Sequence, residues 1–302
     1  MTKAQTAPQG LIVAAHGRHY TVEMADGSLR KCFPRGKKAG PTVGDRVEIT
    51  LEGVNEGSID RVLERRNLLY RSDDMRTKQF AANVDQLLIV VAPEPLFSAD
   101  LTGRALVAAW SVGIAPMIIL NKADLQTHLD RARERLADLQ ALGVKIIELS
   151  ALDAAQTRVT LAPVLRDKCS LLLGQSGMGK STVLNALVPD ARAHTQEHSQ
   201  ALGAGKHTTT STKLYHLPDQ GGDIIDSPGF QAFGLSHLGP TDIEHGFPEF
   251  AEPVKHCRFY NCSHRHEPGC GVLAALESGQ ISAERHDLYQ RILAENESRS
   301  RY

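Results

Sequence analysis

The segment 174–181, with the sequence Gly-Gln-Ser-Gly-Met-Gly-Lys-Ser, decides the fold of this 302-residue chain. It lies between an apolar run at 170–173 and a predicted helix over 180–187, and it matches the pattern Gly-x-x-x-x-Gly-Lys-Ser. Glycines let the backbone wrap around phosphate groups, and the N-terminus of the helix points its N–H groups at the anion. The segment therefore predicts a phosphate-binding loop in an α/β domain. The alternative is an ordinary glycine-rich turn between a strand and a helix.

Every residue of this loop is a candidate phosphate ligand. The candidates are Gly174, Gln175, Ser176, Gly177, Met178, Gly179, Lys180, Ser181 and the following Thr182. We expect Lys180 to bridge β- and γ-phosphate oxygens and the Ser181 hydroxyl to ligate Mg²⁺. Met178 is compatible with this role because the loop contacts phosphate through its backbone.

A second motif, Asn-Lys-Ala-Asp at 121–124, follows an apolar strand predicted at 116–120, at the strand end where open α/β sheets bind ligands. The Asp124 carboxylate can accept two hydrogen bonds from guanine, a pair that adenine does not offer. We expect Asn121 to hold the loop and reach the base, and the Lys122 stem to cover the ring. The remaining candidates for the base site are Ala123 and, at the end of the next predicted strand, Ser150 and Ala151.

A third motif, Asp-Ser-Pro-Gly at 226–229, ends a short predicted strand at 223–225. We expect Asp226 to hold Mg²⁺ through water and the Gly229 N–H to sense the γ-phosphate. A surface turn is the alternative, because these residues favour turns by themselves. One threonine of the preceding segment 205–210 is expected to complete the Mg²⁺ shell. Thr209 is our candidate, although the spacing does not separate it from its neighbours.

The order of these motifs is unusual. An ordinary GTPase carries the phosphate loop first and the base-reading motif near its end, whereas here 121–124 precedes 174–181. Apolar runs alternate with helical patterns, which predicts a doubly wound parallel sheet. The predicted strands are 87–92, 116–120, 145–149, 170–173 and 223–225, and the predicted helices are 99–112, 125–141 and 180–187. We infer a circularly permuted GTPase domain.

The residue that usually orients the attacking water is missing. Ras-like GTPases have a glutamine directly after the glycine of the third motif. Phe230 stands at that position here, and Gln231 comes one residue late. An apolar side chain cannot position water, so intrinsic hydrolysis should be slow and depend on help from elsewhere. His207 is a candidate, but a solvent-facing histidine without a chemical role explains it equally well.

The N-terminal region is predicted to be a small β-barrel. Short strands are expected at 11–15, 20–24, 29–33, 45–50 and 57–63, with turns at 26–27 and 43–45. Five strands in about 60 residues are typical of the oligonucleotide-binding barrel. Residues 1–79 carry 14 Lys and Arg against 10 Asp and Glu, and the remainder carries 20 against 25. The basic cluster Arg30, Lys31, Arg35, Lys37 and Lys38 favours a phosphate-backbone contact over a merely solvated face.

A third region is rich in cysteine and histidine and is followed by a closing helix predicted at 282–295. Cys257, Cys262, His264 and Cys270 offer three thiolates and one imidazole, the donors that tetrahedral Zn²⁺ prefers in a closed structural site. His256 and His266 compete for the histidine position, and free buried cysteines are the alternative. In a reducing compartment such crowding favours metal over disulfides. Cys32 and Cys169 are expected in the core.

Composition places the chain among soluble proteins. No apolar run approaches 18 residues, so no membrane span is expected. The first ten residues lack the basic-then-apolar pattern of a signal peptide, and we expect a cytoplasmic protein. Nothing in the sequence suggests more than a monomer.

Taken together, these motifs resemble the RsgA family (also called YjeQ or EngC), the circularly permuted GTPases of small ribosomal subunit biogenesis. The resemblance covers nearly the whole chain and includes the segment Lys-His-Thr-Thr at 206–209. It implies an oligonucleotide-binding barrel (1–70), a permuted GTPase domain (71–240) and a zinc domain with a C-terminal helix (241–302). It further implies rRNA binding, and hydrolysis of GTP to GDP and phosphate that is stimulated by the small ribosomal subunit during its late maturation.

Two other functions remain open at this point. The chain fits an RNA-binding assembly factor whose nucleotide site is mainly structural. It also fits an ATP-dependent enzyme with a phosphate loop, although Asn121 and Asp124 argue against adenine.

Overall fold

The computed structural model describes residues 7–36, 40–72, 77–189, 191, 211–228 and 233–299. The first five strands are β1 (Gln9–Ala15), β2 (Tyr20–Met24), β3 (Leu29–Pro34), β4 (Arg46–Glu52) and β5 (Glu56–Val62). β1 pairs with β2 and β4, β2 with β3, β3 with β5 in parallel, and β5 with β4, so the ring closes. Closure removes the sheet edges and buries Ile12, Val22 and Cys32 inside. The predicted five-stranded barrel is confirmed, with strand bounds that differ by at most two residues.

A hairpin that the sequence analysis did not predict follows the barrel. It consists of β6 (Leu68–Ser72) and β7 (Thr77–Ala82), paired antiparallel. The barrel contacts it at Gly44, where the backbone is left-handed (φ +91°) and an added Cβ would lie 2.2 Å from the Ala82 carbonyl oxygen. The buried Asp45 carboxylate next to it accepts two hydrogen bonds of 2.7 Å from Arg65. The predicted turn at 43–45 is therefore the contact between barrel and hairpin.

The central part of the chain forms a parallel sheet covered by helices. Its strands are β8 (Gln86–Val91), β9 (Ala115–Leu120), β10 (Lys145–Glu148), β11 (Cys169–Gly174), β12 (Lys213–His216) and β13 (Asp223–Asp226), and its helices are α1 (Ala99–Trp110), α2 (Gln126–Ala141), α3 (Ala154–Leu165) and α4 (Lys180–Leu187). The strand order is β10-β9-β8-β11-β13-β12, and only β12 runs antiparallel to its neighbour β13. β11, which leads into the predicted phosphate loop, lies in the middle. The predicted α/β fold is confirmed.

Two elements of this sheet domain escaped the sequence analysis. Helix α3 begins after Asp153, whose carboxylate accepts a hydrogen bond of 2.9 Å from the Gln156 N–H, and it contains Pro163 in its last turn. Proline lacks the N–H of a regular helical residue, so the local pattern did not indicate a helix. Strand β12 has only four residues, and its pairing with β13 is what makes it a strand.

Strand β12 also joins the barrel to the sheet domain. It pairs with β1 at Lys213 and Ala14, so the barrel and the parallel sheet form one continuous sheet of eleven strands. At the other end of β12, His216 lies between two carboxylates. Its Nε2 is 2.6 Å from Glu23 on β2, and its Nδ1 is 2.6 Å from Asp223 on β13. This histidine therefore ties the two parts together.

The His216 contacts predict a pH-dependent junction. Burial lowers the pKa of His216, but the hydrogen bonds with Glu23 and Asp223 outweigh it and raise the pKa above 6.5. A histidine with a raised pKa stabilises the folded state fully below pH 6.5, and that contribution is lost as the pH rises through the folded-state pKa. Because His216 is half exposed, we expect at most about 1 kcal/mol.

Urea unfolding of the wild type and of His216→Gln between pH 5.5 and 8.5 measures this contribution. The difference in unfolding free energy between the two proteins should shrink as the pH rises. A difference that is the same at both ends of the range would contradict the role of His216.

The C-terminal part packs on α1. It contains α5 (Pro240–His245), α6 (Gly271–Glu277) and α7 (Ala283–Arg299), and 3₁₀ turns lie at Pro218–Gln220, Pro248–Phe250 and Pro253–His256. α7 crosses α1 at Gly103, where an added Cβ would lie 2.5 Å from Leu288. Beside this crossing, Arg104 donates hydrogen bonds of 2.8 and 2.5 Å to Glu295. The predicted closing helix is confirmed, and it extends four residues further. Among the described residues, no helix has the length and apolar character to cross a membrane.

Candidate nucleotide site and metal centre

The predicted phosphate loop connects β11 to α4 and has glycines where other loops come close. Gly177 and Gly179 have left-handed backbone conformations (φ +85° and +87°), which favour glycine. An added Cβ at Gly179 would lie 2.2 Å from the side-chain amide nitrogen of Asn121, and one at Gly174 would lie 3.1 Å from the Val90 carbonyl oxygen. Larger residues at positions 174 and 179 would push strand β8 and the loop at Asn121 away from the phosphate loop.

Asn121 connects three of the predicted loops. Its side-chain Nδ2 donates a hydrogen bond of 3.0 Å to the Met178 carbonyl of the phosphate loop, and its Oδ1 accepts one of 2.9 Å from the Ala151 N–H. The side chain is 1% exposed. The structure thus brings 121–124, 150–151 and 174–181 to one place at the C-terminal ends of β9, β10 and β11, where open α/β sheets bind ligands.

This geometry predicts a strong effect of Asn121→Ala. The variant leaves the Met178 carbonyl and the Ala151 N–H without their partner, and each such loss costs about 1–3 kcal/mol. We expect affinity for guanine nucleotides to fall roughly 10- to 100-fold, as measured by calorimetry. Gln126→Ala is the matched control, because the Gln126 side chain makes one exposed hydrogen bond to the Ala123 carbonyl in the same loop. Equal affinities of the two variants would count against the linking role.

The other residues of the base motif surround this link. Lys122 has a left-handed backbone (φ +60°), and its Nζ donates a hydrogen bond of 2.7 Å to the Glu94 carbonyl. Its stem passes the phosphate loop, since Cε lies 4.0 Å from an added Cβ at Gly179. The Ala123 N–H donates to the Leu149 carbonyl, and Asp124 is exposed. Ser150 is half-buried. The Asp124 carboxylate is therefore accessible to a ligand.

Lys180 and Asp226 meet at the ends of adjacent parallel strands. Leu172 on β11 pairs with Asp226 on β13, and the Lys180 Nζ donates a hydrogen bond to the Asp226 carboxylate. The two residues are 7% and 2% exposed. Ser227 fixes this strand end through a hydrogen bond of 3.0 Å from its hydroxyl to the Leu172 carbonyl. A charged lysine and a carboxylate therefore lie together beside the loop.

The donor chemistry here suits Mg²⁺. Ser181 is exposed in the first turn of α4, and Asp226 ends the neighbouring strand. A hydroxyl and a carboxylate are oxygen ligands of the kind that Mg²⁺ prefers. Ser176 is exposed as well, while Gln175 and Thr182 are half-buried.

Several predicted residues lie outside the described part of the chain. These are Gly229 and Phe230 with Gln231, the segment 205–210 with His207 and Thr209, and Lys37 and Lys38 of the basic cluster. Their roles stay predictions.

One contact of the phosphate loop is not indicated by any sequence motif. The Gln175 side-chain Oε1 accepts a hydrogen bond of 2.8 Å from the Ser98 N–H, and Ser98 also caps α1 by accepting one of 3.2 Å from Leu101. An added Cβ at Gly177 would lie 3.1 Å from Pro95. The segment 94–98 therefore packs against the phosphate loop and hydrogen-bonds to it. A serine directly before a helical pattern is typical of an N-cap, but nothing in the sequence links that cap to Gln175.

The four predicted zinc ligands form one cluster. All ligand atoms of Cys257, Cys262, His264 and Cys270 lie within 4.8 Å of one another. Cys257 Sγ is 3.9 Å from Cys270 Sγ, and His264 Nδ1 is 3.6 and 3.4 Å from these two sulfurs. A tetrahedral Zn²⁺ with ordinary bond lengths gives edges of about 3.8 Å between two sulfurs and about 3.5 Å between sulfur and nitrogen. The cluster is compatible with zinc. His256 and His266 are exposed and outside it.

A carboxylate behind the cluster orients its histidine. Glu244 on α5 lies 3.0 Å from His264 Nε2, which leaves Nδ1 to face the sulfurs. Carboxylates in this position set the tautomer of metal-binding histidines. Glu244 was missed because it lies 20 residues upstream, on a separate helix. Burial raises the pKa of the Cys262 thiol to about 12, and Cys270 adds to this effect. Burial also raises the pKa of the Cys270 thiol. A bound cation would favour the thiolate form of both residues.

The cluster loop is also held from within. Glu267 accepts hydrogen bonds from the Ser263 N–H and hydroxyl at 2.7 and 2.5 Å and from the Arg265 N–H at 3.1 Å. Although burial opposes it, these hydrogen bonds hold the pKa of Glu267 well below its usual range. Glu267 therefore stays ionised and keeps the loop folded around His264.

Comparison with known proteins places the chain in a family. The family model described as RsgA GTPase matches residues 62–236. The chain is 69% identical over 288 residues to the small ribosomal subunit biogenesis GTPase RsgA of Bordetella pertussis, covering 95% of this chain and 96% of that protein. The crystal structure of YjeQ from Thermotoga maritima superimposes with a TM-score of 0.72 at 31% identity, covering 96% of this chain and 98% of the other. YloQ, a circularly permuted GTPase, gives 0.70 at 29% identity, with 99% and 98% covered.

Proposed function

This chain belongs to the RsgA GTPase family, and from that premise we propose that it binds the small ribosomal subunit and hydrolyses GTP to GDP and phosphate during late subunit maturation. The enzyme class, a GTPase of ribosome biogenesis, follows from the family. Binding to the subunit, and stimulation of hydrolysis by it, are the parts that we propose. We also propose the division into domains 1–70, 71–240 and 241–302, and a monomeric protein.

The main support for nucleotide binding is the pair of hydrogen bonds that Asn121 makes between the predicted loops. Because it joins the base motif, the second base loop and the phosphate loop, one guanosine triphosphate can contact all three. We assign the base to Asp124, with Lys122, Ala123, Ser150 and Ala151 around it, and the phosphates to 174–182. Lys180 then exchanges Asp226 for phosphate oxygens when the nucleotide enters.

Charge neutralisation is the main catalytic contribution that we assign to the described residues. Lys180 stabilises the negative charge that develops on the β- and γ-phosphate oxygens during transfer. Ser181 and Asp226 would hold Mg²⁺, which when bound neutralises the same oxygens. Lys180 is buried, so its charge acts in a medium of low polarity where it is more effective.

The barrel supplies the RNA contact in this proposal. The His16 ring stacks on His19 at 4.8 Å, His19 lies 6.0 Å from Phe33, and the Lys31 Nζ lies 5.2 Å above the Phe33 ring. These residues occupy the β1–β2 loop and β3, the surface on which oligonucleotide-binding barrels bind their ligands. Aromatic rings next to a basic cluster provide both stacking and phosphate contacts.

GTP turnover with and without purified small ribosomal subunits tests the proposal. We expect at least about tenfold faster turnover with subunits, because the site lacks a glutamine at position 230 and needs outside help to orient water. Large subunits are the control. Phe33→Ala should reduce the stimulation and leave basal turnover unchanged. Nucleotide binding without any stimulation would instead favour an RNA-binding assembly factor with a structural nucleotide site.

A further inference from the structure

The loop between the first two cysteines of the cluster exposes two neighbouring aromatic side chains. Phe259 is 41% exposed, and Tyr260 is fully exposed. Within the described residues, Phe33 on the barrel is the other exposed side chain among Phe, Tyr and Trp. Exposed aromatic rings that cluster in this way, rather than scattered single residues, mark interaction sites.

This loop is short and held at both ends. Residues 258–261 lie between Cys257 and Cys262 of the zinc-compatible cluster. The Arg258 N–H donates a hydrogen bond of 2.9 Å to the Gly269 carbonyl, and the Gly271 N–H lies 3.4 Å from the Cys257 sulfur. A loop that is already ordered loses little conformational entropy when a ligand binds it. The two rings are therefore presented on a rigid support.

The sequence around the two rings is basic. Between Glu252 and Glu267 the sequence contains Lys255, Arg258 and Arg265 and no acidic residue. The Arg258 guanidinium lies 5.5 Å from the Phe259 ring centroid, and Lys255 is exposed, with one carboxylate partner at 2.6 Å. Such exposed ion pairs exchange easily for another anion. A partner with both flat rings and negative charges fits this surface.

We propose that this aromatic tip, defined as residues 258–260, binds an unpaired segment of RNA. One base stacks on Tyr260, and Arg258 and Lys255 contact the adjacent phosphates. The proposal rests on the proposed function and adds a second RNA contact, separate from the barrel. Single-stranded RNA is the ligand because its base faces are free for stacking, whereas in a duplex they are covered by neighbouring base pairs.

A stacking assay tests the proposal in the full chain. The probe is a short single-stranded RNA that carries one 2-aminopurine, whose fluorescence is quenched when the base stacks. The measurement is made in a Phe33→Ala background to weaken the barrel contact. We expect Tyr260→Ala to weaken RNA binding roughly 5- to 100-fold and to remove most of the quenching, while Tyr260→Phe retains both. A duplex of the same sequence should bind without a further change in fluorescence.

Val159→Ala is the matched control, since Val159 is exposed on α3. The zinc content of each variant must equal that of the parent, which shows that the loop still folds. Unchanged binding and quenching in Tyr260→Ala would overturn the proposal. So would a Tyr260→Ala variant that binds whole subunits more weakly but the RNA normally, because the tip would then contact a ribosomal protein. Failure of subunits to stimulate GTP turnover would instead refute the proposed function, independently of this assay.

Discussion

Replacing Lys180 by methionine is expected to lower the rate of GTP hydrolysis by at least about 100-fold. Methionine keeps the approximate length of the side chain and removes the charge that we assign to the β- and γ-phosphates. Single-turnover measurements at saturating GTP separate this loss from weaker binding. Lys168→Met is the matched control, because Lys168 lies before β11, at the opposite end of the strand from the phosphate loop. Hydrolysis within tenfold of the wild type would contradict the assignment.

The same substitution also affects stability. Lys180 and Asp226 form a buried pair, and removing the lysine takes one favourable partner from the Asp226 carboxylate, at a cost of at most about 3–5 kcal/mol. We expect the nucleotide-free Lys180→Met variant to unfold at lower urea concentration. Asp226→Asn in that background removes the remaining charge and should restore part of the stability without restoring hydrolysis. This pattern would separate a catalytic loss from simple misfolding.

Disruption of the zinc-compatible cluster is expected to have the second large effect. Structural zinc sites contribute on the order of 10 kcal/mol to folding, so His264→Ala should lose bound zinc and the packing of the C-terminal part. Hydrogen exchange should become fast across 247–289, which contains the cluster and the ring contacts of Phe247 and Phe250 with Tyr289. Strands β8–β11 should stay protected, because their core does not include these residues.

His266→Ala is the control for this experiment. It removes the same ring two residues away, but His266 is exposed and lies outside the cluster. Its zinc content, measured with a chromogenic chelator after unfolding, should equal that of the wild type. If His264→Ala kept stoichiometric zinc, the histidine ligand would have to be a different residue.

The order of elements could be predicted from local patterns. Strand β8 is six buried residues in a row, and it was predicted from the apolar run 87–92, because a strand covered on both faces is mostly apolar. The phosphate loop, the base motif and the cysteine cluster were identified from spacing, since each needs particular residues at short intervals. Helix α3 was missed because Pro163 interrupts its helical sequence pattern. Strand β12 was missed because it depends on pairing with β1 and β13, which are separate segments of the chain.

The metal centre illustrates the same limit within one site. The spacing of the motif did not decide which of three histidines is the fourth ligand, because His256, His264 and His266 are all near the cysteines in sequence. The structure selects His264, whose ring is buried between the sulfurs and Glu244. Glu244 itself has no sequence signature, since a carboxylate that acts through a histidine can lie anywhere in the chain that folding brings close.

The sequence by itself determined which residues are candidates to hold phosphate, guanine and a thiolate-bound metal, and that the order of their motifs is permuted. These properties depend on residue type and short spacing, which are local. Tertiary structure decided which groups touch: Asn121 between three loops, Lys180 on Asp226, Glu244 behind His264, and His216 between barrel and sheet. Such contacts join residues up to 193 positions apart, and only the packing of strands and helices places them together.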